Sequence, residues 1–170
     1  RLKQSAMSAE LAYSSATELV RRYRAKQLSP VEVTQAVLAR MRELNPRLNA
    51  FCFIDEAGAL AAARASETRW MKGAPLGCVD GVPASIKDLI LARGWPTLRG
   101  SKTVDRDGPW LEDGPATARL RENGAVLLGK TCTPEFGWKG VTDSALTGIT
   151  HNPWNAALTP GGSSGGASAQ

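Results

Sequence analysis

Lys87 lies in the run GVPASIKD, Gly81 to Asp88, with Ile86 before it and Leu89 and Ile90 close behind. A lysine among apolar residues on a strand is poorly solvated, which disfavours its ammonium form and moves it toward a base. Asp88 does not automatically neutralise it, because consecutive strand residues point to opposite faces. The rival reading is a lysine whose stem lies on apolar surface while its head reaches water. A second candidate is PGGSSGG, Pro160 to Gly166, which sets two hydroxyls in glycine-rich backbone. Consecutive glycines can present N–H groups to a phosphate. The Gly-Lys-Ser/Thr of a nucleotide loop is missing, and a flexible linker is the competing reading. The third candidate is the block EFGWKGVTDSALTGITHNPWN, Glu135 to Asn155. Its Asn152-Pro153-Trp154 predicts a turn with a buried aromatic anchor, and so an ordered approach to the Gly/Ser segment.

These residues need elements to hold them. Ser15-x-x-Glu18 reads as a capping box opening a helix to about Lys26. Ser29, Pro30 and Glu32 open a second helix, with Val33, Val37, Met41 and Leu44 on one face, and Asn45-Pro46 is expected to end it. Asn49 to Ile54 reads as a strand and Ala57 to Trp70 as an Ala-rich helix. From Gly73 onward glycines and prolines recur. Val82 to Ile90 reads as a strand leading into a loop, Asp113 to Asn123 as a short helix stopped by Gly124, and Ala125 to Leu128 as a buried strand. Helix followed at once by an apolar strand is an α/β signature. The division expected is a helical region over 1–72, with 1–6 ahead of a native start at Met7, and the first part of an α/β core over 73–170. So few strands cannot cover AVLL on both faces, so the chain reads as part of a larger sheet.

Composition narrows the class. With 42% hydrophobic and 22% charged residues the chain is neither disordered nor a coiled coil. It has no apolar run long enough to span a membrane, and the first 30 residues lack a signal-peptide core. The net charge of +5 is mild. Its densest cluster, Arg21, Arg22, Arg24 and Lys26, falls on a helical pattern and reads as a solvated face rather than a nucleic-acid site. Cys52, Cys78 and Cys132 are far apart and suggest neither a disulfide framework nor a metal cluster. Reduced thiols fit a cytoplasmic protein. His151 is the single histidine and has no Cys or His neighbour, so no metal is expected.

In order, GVPASIKD, ATARLRENGAVLLGKT, TPEF, HNPWN and TPGGSSGG resemble the amidase signature family of serine hydrolases over nearly the whole chain from Pro30 onward. Lys87 and Ser163 are 76 positions apart, a spacing similar to that family's. The resemblance implies an α/β fold with a mixed sheet flanked by helices, of which this chain holds the N-terminal part. It also implies hydrolysis of a linear amide through an acyl-enzyme, with a Ser–cisSer–Lys triad and no cofactor. Lys87 matches the family's buried catalytic lysine. Ser163 matches the serine that follows a cis peptide bond after Gly162. Gly137 and Asp143 match positions near the acyl pocket. The partners expected are a small-molecule amide and a second copy of the chain, with neither nucleic acid nor membrane.

The family's nucleophile lies in a second Gly-Gly-Ser turn after the cis serine, beyond Gln170, so the 170 residues alone are expected to be inactive. Leu76-Gly77-Cys78-Val79-Asp80 replaces the usual Pro-Leu-His run, and GASAQ replaces the usual small-residue helix start. Two alternatives stand beside the free amidase. One is the amidase-like component of a glutamine-dependent tRNA amidotransferase, which carries Asn-Met-Asp-Glu-Phe where this chain has Thr131 to Phe136; the Pro-Glu-Phe-Gly-Trp-Lys here is more similar to free-standing amidases. The other is a non-catalytic binding fragment.

Overall fold

A computed structural model describes residues 11–170. The start expected at Met7, and the segment 1–6 ahead of it, lie outside the described residues. The chain forms two compact units that interleave in sequence. One holds the chain up to Glu43 with Asp55–Ala84 and Arg119–Leu128; the other holds Leu44–Ile54, Ser85–Ala118 and Gly129–Gln170.

The first unit is helical. Helix α1 is Ala16–Arg24, capped by Ser15, whose side chain accepts from Glu18 N at 3.2 Å. The box is only half made, because the Glu18 carboxylate takes Arg21 instead. Helix α2 is Pro30–Leu48. Here the acid does reach back: Ser29 N donates to Glu32 Oε2 at 2.9 Å, and Val31 N donates to Ser29 Oγ at 3.0 Å. Helix α3 is Glu56–Met71, capped by Asp55, which accepts from Gly58 N at 2.8 Å. Leu19, Tyr23, Leu28, Val33 and Trp70 form the core of this unit, with Tyr23 and Trp70 tilted at 6.1 Å between centroids.

Helix α2 does not stop at Asn45-Pro46, as expected, but runs through Pro46 to Leu48. Proline forfeits one hydrogen bond there, which is tolerable in a last turn. The stop comes at Asn49, which has φ of +49° and whose N–H closes on Asn45 O at 2.8 Å. Asn45 then receives Ala50 N and Phe51 N on its side-chain oxygen, and so starts the next strand.

The strands are β1 (Phe51–Ile54), β2 (Pro83–Lys87) and β3 (Val126–Thr131), in the order β1-β3-β2. Strand β1 is antiparallel to β3, pairing Phe51 with Thr131, Phe53 with Lys130 and Ile54 with Gly129, with an irregularity between Phe51 and Phe53. Val126 N bonds Val82 O and Asp88 N bonds Thr131 O, so β2 ascends alongside β3 in the same direction. The sheet is therefore mixed, and helix α4 (Pro115–Glu122) is the crossover between the parallel pair. Strand β3 extends AVLL by three residues and is buried at all six of its positions. A Cβ on Gly129 would come within 2.1 Å of Phe53 O, so only glycine admits β1 at that distance.

In the second unit the stretch after β3 carries a 3-10 turn (Glu135–Gly137) and the hairpin β4 (Asp143–Ser144) and β5 (Gly148–Ile149); helix α5 (Gly165–Ala169) follows the glycine-rich segment. Trp154 corrects the expectation of a buried anchor, being 95% exposed. Its turn is ordered by backbone and Asn side chains instead: Trp154 N to Asn152 Oδ1, Leu158 N to Asn155 O and Ala157 N to Asn155 Oδ1. Trp138 is 90% exposed, and Phe136, Ile149 and Leu158 are exposed as well.

Asp80, which the sequence marks only as a departure, anchors the first unit. Its side chain has no exposed surface and takes a two-pronged bond from Arg69, Nε to Oδ2 at 2.7 Å and Nη2 to Oδ1 at 2.6 Å. Leu76 N adds a third at 2.8 Å. Burial alone pushes this carboxyl up, but the Arg69 bonds and charge outweigh it and hold it below its ordinary value. A lowered folded-state pKa contributes stability above the unfolded value of about 3.9, lost as pH falls through the folded one. Arg69→Met strands a buried carboxylate and is expected to cost ~3 kcal/mol at pH 7 in chemical denaturation. The cost should shrink below about pH 4, where Asp80 takes up a proton. A loss independent of pH would assign the effect to packing.

Candidate active site

Lys87 is the last residue of β2, half-buried, and its Nζ donates to Ser163 Oγ at 2.7 Å and to Ser164 Oγ at 2.9 Å. Burial lowers its pKa below the ordinary lysine value. The Gly162–Ser163 peptide bond is cis. Gly137 also belongs to this group: a Cβ built on it would lie 3.6 Å from Ser163 Oγ and 2.6 Å from the Leu89 side chain. Lys87, Ser163 and Gly137 are thus brought together. Asp143 is engaged differently, on the exposed hairpin, where its Oδ1 accepts from Lys139 Nζ at 2.5 Å.

Sequence reasoning does not single out several residues around the site. It leaves Ser164 off the relay, yet the Ser164 hydroxyl meets the same Lys87 ammonium as Ser163 at nearly the same distance. Thr142 Oγ1 donates to Gly161 O at 2.9 Å and accepts Gly165 N at 3.0 Å, tying both shoulders of the Ser163 turn with one side chain. Gly166 N donates to Cys132 O at 3.2 Å, fastening the start of α5 to the end of β3.

Asp88 points away from Lys87, as strand alternation requires, and is buried. It accepts Leu98 N and Gly100 N, each at 3.2 Å, and faces Lys130 Nζ at 3.9 Å. Burial pushes the Asp88 carboxyl up, opposed by Gly100 N–H, the Lys130 charge and neighbouring N–H groups. Burial brings the Lys130 ammonium down to about 8, opposed by Asp88. In the sequence Lys130 merely follows a buried strand; a lysine between the apolar run and Thr131 is the signal that could have found it.

A desolvated lysine on two hydroxyls, within a mixed sheet flanked by helices, defines a class of α/β hydrolases. The Amidase family model matches residues 32–170, and the chain belongs to that family, the amidase signature enzymes. It is 41% identical over 152 residues to the GatA-type component, the first-lettered chain, of the glutamyl-tRNA(Gln) amidotransferase of Myxococcus xanthus, covering 89% of this chain and 31% of that protein. It is 41% identical over 153 residues to indoleacetamide hydrolase of Bradyrhizobium diazoefficiens, covering 90% and 29%. Among solved structures, a bacterial aryl acylamidase of the amidase signature family superposes with a TM-score of 0.89 at 34% identity, covering 94% of this chain and 33% of that one. The peptide amidase from Stenotrophomonas maltophilia superposes at 0.82 with 32% identity, covering 91% and 33%. The chain spans about a third of the length of the relatives it matches. Among the described residues no helix is long and apolar enough to cross a membrane.

Gly162 sits against its neighbours without slack: a Cβ there would lie 2.6 Å from Val141 N, 2.7 Å from Val141 O and 2.8 Å from Gly140 C. All three are backbone atoms and cannot swing aside. Gly162→Ala is expected to destabilise the protein by ~1–3 kcal/mol in chemical denaturation, as overpacking does. An unchanged midpoint would show that the segment around Val141 yields freely.

Proposed function

We propose that this chain supplies the lysine and the relay serine of a cytoplasmic amidase that hydrolyses a linear amide to a carboxylic acid and ammonia or an amine. The observation that carries the reading is the 2.7 Å contact between Lys87 Nζ and Ser163 Oγ, with Lys87 desolvated and its sequence-adjacent carboxylate turned away. The neutral Lys87 lone pair takes the Ser163 hydroxyl proton as Ser163 Oγ takes the proton of a nucleophilic serine. That serine attacks the amide carbon, and the proton returns through the same pair to the leaving nitrogen. The nucleophile and the backbone N–H groups that meet the oxyanion are assigned to the part of the relatives' length outside this chain. Gly137 and Asp143 are assigned to the acyl pocket, Gly137 on its proximity to Ser163 and Asp143 on the family resemblance alone. The helical region 1–72 and the core begun at 73 form the front of the enzyme, which binds a small-molecule amide and pairs with a second copy of itself.

A second reading is favoured by the 41% identity to a component of an amidotransferase that by its name serves glutamyl-tRNA(Gln). The two separate on one measurement, hydrolysis of free amides by the purified enzyme without tRNA or partner proteins. The amidase reading expects turnover; release of ammonia only when tRNA and partner proteins are supplied favours the second.

Lys87→Ala in the complete enzyme should lose ~10²–10⁴-fold in kcat, the range of general acid–base catalysis. The rate should rise with pH as Lys87 gives up its proton, with a midpoint below the ordinary lysine value. A fluorophosphonate should label a serine other than Ser163 and Ser164 in the complete enzyme, and residues 1–170 alone should take no label. Labelling of Ser163 in the 170-residue chain at the parent's rate would reverse the assignment of relay and nucleophile.

A further inference from the structure

Lys130 is a lysine with 0% exposure inside a fully buried strand. Removing an ammonium from water costs several kcal/mol unless acceptors surround it, so such a residue persists only where its bonds are used. Its Nζ donates to Ile90 O at 2.5 Å and to Thr97 Oγ1 at 2.8 Å, and faces Asp88 Oδ1 at 3.9 Å. All three partners lie on one stretch of chain, Asp88 to Thr97, which leaves β2 immediately after Lys87.

That stretch returns its bonds to Lys87. Ile90 N donates to Lys87 O at 2.9 Å, so the residue whose carbonyl Lys130 holds is the one whose amide closes the turn on Lys87. Asp88 N donates to Thr131 O at 3.0 Å, and Asp88 O accepts Arg99 N at 3.1 Å. The Asp88 carboxylate gathers Leu98 N and Gly100 N. The titratable groups that face Lys130 and Asp88 are each other, Cys52 from β1 and, toward Asp88, Cys132 at the end of β3.

We propose that Lys130 is a positioning residue for Lys87: its ammonium clamps the Asp88–Thr97 stretch and so fixes the turn from which Lys87 reaches Ser163. This rests on reading Lys87 as the relay base. Lys130 itself touches no reacting atom, and it acts by holding Nζ of Lys87 within bonding distance of both hydroxyls.

The test is Lys130→Met in the complete enzyme, read by hydrogen–deuterium exchange of the peptide covering 88–100 and by kcat and KM on a small amide. Exchange over 88–100 should quicken while helix α3 is unchanged. The kcat should fall ~10²-fold, the scale of a misplaced catalytic group, with KM unchanged. Exchange at wild-type rate overturns the proposal. So does a quickened loop with kcat intact, which would leave Lys130 a purely structural residue, and so does a parallel rise in KM. If Lys130→Met does not fold, Thr97→Val removes one acceptor at constant shape, and a smaller loss of the same kind is expected; unchanged exchange and kcat there overturn the proposal. A wild-type enzyme that hydrolyses no amide refutes the Lys87 reading, while exchange over 88–100 still decides whether Lys130 clamps the loop.

Discussion

An ammonium with no path to water has to be met by acceptors on the spot, and in the second unit Lys130 imposes that condition. It is carried into the interior on β3, which is buried at every position and leaves it no room to snorkel. The chain answers by folding the segment after β2 around it: a carbonyl at Ile90, a hydroxyl at Thr97 and a carboxylate at Asp88. A loop without regular structure thereby acquires a fixed course. Asp88 also turns its oxygens to Leu98 N and Gly100 N, which extends the same constraint to Gly100.

The two lysines of the unit show what environment does to one chemistry. Lys130 is buried with an acid opposite, and attraction between them offsets part of the desolvation that favours its neutral form. Lys87 is half-buried with only hydroxyls at its nitrogen, and burial is the cause of its lowered pKa. The difference is set by a single register choice. Lys87 and Asp88 are neighbours at a strand end, so they project to opposite faces and the carboxylate is delivered to Lys130 rather than to Lys87. Were Asp88 on the same face as Lys87, it would favour the charged lysine and remove the base.

Much of this is legible in the residues. The helix starts at Ser15 and Ser29, the strand at AVLL and the apolar setting of Lys87 follow from capping, periodicity and neighbours, and the observed elements agree to within a few residues. The pairing of Lys87 with Ser163 follows only from the family resemblance, since no local rule brings residues so far apart in sequence together. Long-range polar ties are what the sequence does not yield: Asp80 with Arg69, Lys130 with the loop after β2, and Thr142 with the Ser163 turn. Each depends on a partner fixed by topology rather than by spacing. Trp154 fails for the opposite reason. A large aromatic after Asn-Pro suggests the anchor of its turn, whereas the asparagine side chains carry the order and the ring is left outside.

The glycine-rich segment illustrates how composition misleads when read as flexibility. PGGSSGG has the make-up of a linker, yet its glycines are where the backbone is most confined. A Cβ on Gly165 would fall 2.2 Å from Thr142 Oγ1, and one on Gly166 2.4 Å from Cys132 N. Lacking side chains, these glycines cannot fasten themselves, so they are fastened from outside: by Thr142 at Gly161 and Gly165, and by the Cys132 carbonyl at Gly166. The two serines between those ties are the part with side chains, and both meet the Lys87 ammonium. Glycine here permits close approach, close approach permits the ties, and the ties hold two hydroxyls against a lysine that burial has moved toward its neutral form.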